Sequence, residues 1–167
     1  MDTRPAEAEQ LLSDALTADL FHGPAHNNLG VLMLRSTPPW LYEVAGEFEW
    51  ARKLMPGNAD SRVNLALTLE RVGRYDDAMA SYRTALEVSP EHVPALQGLS
   101  RLQLRNGKPD SGTHHALETI ALQGTTNEWR EWAQRQLART ATLHPYVVAG
   151  THTSRRRSNR GTNPCPP

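Results

Sequence analysis

The stretch of thirty-four residues from Ala59 to His92 repeats its spacing in the segments before and after it, and so commits the chain to one kind of architecture. Within it, Leu65, Leu69 and Val72 follow one another at four and three residues, which places them on one face of a helix. After Gly73 the same spacing returns at Ala78, Tyr82 and Ala85. Val72-Gly73-Arg74-Tyr75 leaves room for a short turn, with Gly73 free to take the left-handed conformation that ends helices. Ser89-Pro90 then stops the second helix. The unit is a helical hairpin whose apolar faces one hairpin cannot cover, so it needs neighbours of its own kind.

These residues resemble a tetratricopeptide repeat. That family places a large and then a small apolar residue in its first helix (helix A), here Leu65-Ala66, and a small, an aromatic and a small residue in its second (helix B), here Ala78, Tyr82 and Ala85. Pro90 falls at the family's terminating proline, while Arg62 stands where the family often has tryptophan. Small residues at those points let helix backbones approach to roughly 8–10 Å. The resemblance implies an all-α fold, a right-handed α-α superhelix of stacked hairpins, and a concave surface lined by the A helices where the family binds extended peptides or partner helices.

Taken in order, the chain divides into a solenoid domain over residues 3–143 and a tail over 144–167. Residues 3–22 carry Ala8, Leu11, Leu12, Ala15 and Leu16 on one side of a single helix, half a repeat with no helix A. Residues 23–58 form a repeat in which Asn28-Leu29-Gly30 answers Asn64-Leu65-Ala66, with a turn at Ser36–Trp40 about two residues longer than the pattern. The central repeat, 59–92, is followed by a degenerate one over 93–124, where Leu99-Ser100 keeps the large-then-small step. There Gly112, Ala116 and Gly124 replace the alanine, aromatic and proline of helix B, so looser packing is expected. Residues 125–143 read as a capping helix opened by a Thr125–Glu128 capping box. The tail is rich in Ser, Thr, Arg, Asn and Pro and is expected to be disordered.

Apolar residues make up 38 % of the chain and aromatics 6 %, which is low for a single globule but suits a thin layer of stacked helices. The zero net charge hides an asymmetry: residues 144–167 hold four arginines and no acid, leaving 14 basic against 18 acidic residues in 1–143. No apolar run is long enough for a membrane span or a signal peptide, so a soluble cytoplasmic protein is expected. The single cysteine, Cys165, can make no internal disulfide.

The family register gives the residues that face the concave surface. In the first repeat they are Asn27, Asn28, Val31, Leu34 and Arg35, in the second Val63, Asn64, Leu67, Glu70 and Arg71, and in the third Gln97, Arg101, Leu104 and Arg105. Asn28 and Asn64 hold equivalent places, and a side-chain amide can donate to and accept from any peptide backbone. Arg35, Arg71 and Arg105 form a row near the end of each helix A, joined by Arg101, and suit acidic side chains. Val31, Val63 and Leu67 offer an apolar floor. The arginines have a second explanation, since positive charge is favoured at helix C-termini by roughly 0.3–1 kcal/mol each, and a third, surface ion pairs with Glu70 and Asp76 or Asp77, which would contribute little. Some family members clamp a C-terminal carboxylate with a set of Lys, Arg and Asn residues. Of that set only Asn64 is matched here, with Val31, Pro94 and Gly98 at places that would need polar or basic groups.

No enzyme is expected. His22 and His26 flank Gly23-Pro24 without further ligands, His114-His115 are adjacent, and all four suit surface positions; no metal or cofactor is implied. Asp76-Asp77 open a helix, where they answer its dipole. The expected partner is a protein or peptide, held by a non-enzymatic adaptor. The alternatives are a structural module or self-associating scaffold using the apolar edge of the leading half repeat, and a weak, salt-sensitive nucleic-acid contact through Arg155, Arg156, Arg157 and Arg160.

Overall fold

Among the described residues eight helices follow one another: α1 Arg4–Ala18, α2 Gly23–Met33, α3 Leu41–Leu54, α4 Ala59–Arg71, α5 Tyr75–Val88, α6 Val93–Arg105, α7 Thr113–Gln123 and α8 Asn127–Leu143. The computed structural model describes residues 4–36 and 39–143, and the tail over 144–167 lies outside them. Each helix packs on the next in sequence, and α4 also touches α6, the nearest-neighbour pattern of a helical repeat solenoid.

The turns follow from local chemistry. Asn58 caps α4 by accepting the Ser61 amide at 2.9 Å. At its other end Gly73 adopts φ +81°, and the amides of Arg74 and Gly73 return to the carbonyls of Leu69 and Glu70. This is a Schellman motif, and Gly107 repeats it at φ +64° after α6, with Lys108 bonded to Gln103 and Gly107 to Leu104. Only a residue without a Cβ adopts that backbone at little cost, which is why a glycine stands after both helices.

The core runs through the middle of the stack. Val44 and Phe48 of α3, Ala66 of α4, Ala78, Tyr82 and Ala85 of α5, and Ala95 and Leu102 of α6 are all fully buried. A second cluster at the C-terminal end joins Leu117 and Ile120 of α7 to Ala133 of α8, flanked by Trp129, Trp132 and Leu137. Glycines mark the closest approaches: a Cβ on Gly30 would stand 2.7 Å from the Phe48 ring.

The degenerate repeat is closed by polar groups. Asp110 accepts the Gly112 amide at 3.0 Å, and α7 starts at Thr113. The buried Gln103 and Thr113 are bonded to each other at 3.1 Å and both to Asp110. The C-terminal helix is also capped differently. Thr126 Oγ1, not Thr125, accepts the Trp129 amide at 3.3 Å, because Thr125 is engaged with buried Gln97 through two bonds of 3.2 Å.

One histidine departs from the surface position expected of it. His22 is exposed and accepts the Ala25 amide at 3.2 Å, but His26 is only 4 % exposed. Its Nε2 donates to the Leu20 carbonyl at 2.9 Å, its Nδ1 meets Glu47 Oε2 at 2.7 Å, and its ring stacks on Trp50. It therefore ties the α1–α2 turn to α3. His26→Ala is expected to cost about 2–3 kcal/mol, through two lost bonds and the unpaired groups they leave. Amide exchange should rise in α1 while α4 keeps its protection; uniform loss of protection along the chain would contradict this local role.

Candidate functional site

The A helices α2, α4 and α6 carry the residues singled out from the sequence, and the structure sorts them into three groups. The first is a linked set of amides. Asn64 Nδ2 donates to Asn27 Oδ1 at 3.0 Å, bridging α4 and α2, and Asn27 Nδ2 reaches Asn28 Oδ1 at 3.4 Å. Asn28 is exposed, and Asn27 and Asn64 are half-buried.

The second group is apolar and lies partly elsewhere than the register implied. Leu67 stands 43 % exposed on α4, and Val31 is half-buried. Val63 is only 5 % exposed and belongs to the core, so its side chain does not line the open face. An A helix in the middle of a solenoid is contacted by its own helix B, by the preceding helix B and by the next helix A. The strip it leaves open is narrower than the apolar face of an ordinary surface helix. Val31 instead lines a cleft of about 410 Å³ with Asn28 and Arg35, opposite Ala8, Leu11 and Leu12 of α1.

The arginines form the third group and play unlike parts. Arg35 and Arg71 are exposed, and among the described residues neither has an ion-pair partner. Arg105 is exposed with its guanidinium over the Tyr75 ring, 4.5 Å from the centroid. Arg101 is committed: its Nη2 donates to Glu70 Oε2 at 2.5 Å, while the Tyr82 hydroxyl donates to the other carboxylate oxygen at 2.7 Å. Burial first, and then the bond to the Glu70 carboxylate, push the Tyr82 phenol well above its ordinary pKa. The Glu70 side chain is 10 % exposed and that of Arg101 36 %, so this partly buried pair ties α4, α5 and α6 together.

Helix α8 adds residues that the sequence reading left in a cap. Arg71, Arg105 and Arg139 are spaced by 34 and 34 residues, and Arg35 precedes Arg71 by 36, the period plus the two-residue insertion in the first turn. Arg139 therefore takes the same place in α8 that the other three take in α2, α4 and α6, which makes α8 the A helix of a fourth unit. The 34-residue interval was the signal available for it. Beside it, Trp129 and Trp132 meet edge to face at 5.2 Å and line a cleft of about 480 Å³ with Arg101, Glu128 and Arg135. Among the described residues no group of three or more His, Cys, Asp or Glu side chains could hold a metal, and no helix is long and apolar enough to cross a membrane.

Hairpins stacked by nearest-neighbour contact, with glycines and small residues at the helix crossings, define a helical-repeat scaffold. Residues 69–113 match the tetratricopeptide repeat family model, so this stretch of the chain carries a tetratricopeptide repeat. Among solved structures it is similar to the crystal structure of MamA, with a TM-score of 0.58 and 17 % identity over 83 % of this chain and 71 % of that one. A second MamA structure, MSR-1 C2, gives a TM-score of 0.53 and 15 % identity over 80 % of this chain and 69 % of that one. At these identities the likeness shows the fold alone. No curated protein matches the sequence.

Proposed function

We propose that this chain is a non-enzymatic protein-interaction module, which holds an extended or helical segment bearing acidic side chains along the open face of its A helices. The observation that carries this is the recurrence of arginine at one place in every A helix, Arg35, Arg71, Arg105 and Arg139. The helix dipole accounts for a cation at Arg71 and at Arg105, in the last turns of α4 and α6, by roughly 0.3–1 kcal/mol each. It does not account for Arg35, two residues beyond the end of α2, or for Arg139, four residues before the end of α8, nor for the exposed Leu67. A ligand carboxylate bound by an arginine fork gains charge-assisted bonds that a lone helix end does not supply. Asn64 spends its amide N–H on Asn27 and leaves its Oδ1 for a backbone N–H of the ligand, with Asn28 beside it. An interface of this extent falls below about 1,200 Å² and corresponds to micromolar affinity.

The test compares the chain truncated after residue 143 with the same chain carrying Asn28→Ala, Asn64→Ala and Arg71→Glu, both immobilised and exposed to lysate at moderate salt. A protein retained by the first should bind the second at least about tenfold more weakly, equivalent to about 1.4 kcal/mol, with helicity unchanged by circular dichroism. Equal retention would remove the A-helix face from consideration. Retention that depends on residues 144–167 and disappears after nuclease treatment would point instead to nucleic acid on the arginine tail.

A further inference from the structure

Among the described residues, the first and last helices are complementary halves of one repeat. Ala8, Leu12 and Ala15 of α1 have the spacing of Ala78, Tyr82 and Ala85 of α5, which makes α1 a helix B. In α5 those three residues are fully buried, because α4 lies across them. In α1 all three are half-buried and Leu11 is 70 % exposed; its one substantial packing partner among the described residues is α2. Helix α8 is the converse, an A helix packed on α7 with no helix B after it among the described residues.

The seat for a helix A at the N-terminal end is already shaped. Leu11 and Leu12 of α1, with Asn28, Val31 and Arg35 of α2, line the cleft of about 410 Å³. Two repeats further along, the equivalent places are Ser81 and Tyr82 of α5, with Gly98, Arg101 and Arg105 of α6. There α4 fills the space, held by Ser81 Oγ donating to the Arg62 carbonyl at 2.9 Å and by Tyr82 and Arg101 donating to Glu70. The N-terminal cleft is the same groove between a helix B and the next helix A, without the helix.

Charge sets the direction in which copies meet. Residues 1–22 hold five acids and one base, whereas residues 125–167 hold seven arginines and two acids. Opposite ends attract and like ends repel. We propose that α8 of one copy seats in the α1–α2 cleft of a second copy, completing a repeat across two chains. Such a contact is heterologous, so it leaves one free end of each kind and extends into an open chain of subunits. Gln134 stands where Gly30, Ala66 and Ser100 stand in the other A helices, so the approach is less close than inside the solenoid and the association is weak.

Sedimentation velocity on the 167-residue chain, from about 10 μM to about 1 mM at low salt, tests this, since interfaces of this class fall in the micromolar to millimolar range. The weight-average mass should rise above the 18.6 kDa monomer without a plateau at the dimer. Leu11→Arg and Gln134→Glu change exposed side chains, so helicity should hold while each variant alone stays monomeric. Mixed in equal amounts they should form dimers and stop there, because one supplies an intact α8 and the other an intact α1 cleft. A monomer at every concentration overturns the proposal. So does a mixture that stays monomeric, or association abolished by Leu11→Arg and untouched by Gln134→Glu, which would mark a symmetric contact through α1.

Discussion

Tyr82→Ala should remove about 3–5 kcal/mol, the usual cost of truncating a large aromatic in a core, and a third or more of the roughly 5–15 kcal/mol typical of a domain. The ring is fully buried where three helices meet, and its hydroxyl donates to Glu70 at 2.7 Å. Tyr82→Phe isolates the hydroxyl. It keeps the packing but leaves one oxygen of a nearly buried carboxylate without its donor, with only Arg101 still bonded to Glu70. A bond to a charged group is worth about 1.5–3 kcal/mol, which is the loss expected in urea titrations. The two variants also separate with pH. The folded-state phenol is held well above the ordinary tyrosine value of about 10, at which the same group ionises in the unfolded chain. Its contribution is therefore complete below pH ~10 and lost as pH rises above it, by about 1.4 kcal/mol per unit. The stability advantage of the native protein over Tyr82→Phe should shrink accordingly between pH 10 and pH 11 or so. A constant difference across that range would mean that the phenol is not held neutral by the fold.

Much of the architecture was legible because the repeat is written in local terms. Leu65-Ala66 and Ala78–Tyr82–Ala85 name both the helices and the crossings between them, and the stop at Gly73 lies in the same thirty-four residues. What was less legible depends on which neighbour a residue meets. Val63 and Asn64 are adjacent in one helix, yet the preceding hairpin buries the first in the core and bonds the second to Asn27. His26 has nothing local to mark it as buried, since its partners are a carbonyl in the preceding turn and a carboxylate twenty-one residues on. The capping box named Thr125, and only the contact of Thr125 with Gln97 moves the cap to Thr126. The place of α8 as a fourth helix A was masked because Ala133-Gln134 stands where the large-then-small pair stands elsewhere. The arginine interval of 34 residues carried that information instead.

Gly98→Ala should destabilise the protein even though alanine is the better helix former. A Cβ on Gly98 would stand 2.2 Å from Cζ of Tyr82 and within 2.6 Å of both Cε atoms, far inside contact distance. The ring cannot swing clear at low cost, because it is enclosed on all sides and its hydroxyl is tied to Glu70. Overpacking of this kind costs about 1–3 kcal/mol, and the gain in helix propensity of roughly 0.8–1.0 kcal/mol offsets only part of it. At an approach of 2.2 Å the upper part of that range applies, so a net loss of up to about 2 kcal/mol is expected. Gly46→Ala, in α3 with nothing within 4 Å of the added carbon, provides the control and should be stabilising by up to about 1 kcal/mol. The origin of the loss is read from a double-mutant cycle. In a Tyr82→Ala background the ring is gone, so Gly98→Ala should become neutral or stabilising, with a coupling energy of about 2 kcal/mol between the two sites. If Gly98→Ala instead costs the same in both backgrounds, the penalty lies in the α6 backbone and not in the crossing of α5 over α6. If it raises stability in the native background, the close approach that joins these repeats is looser than the geometry requires.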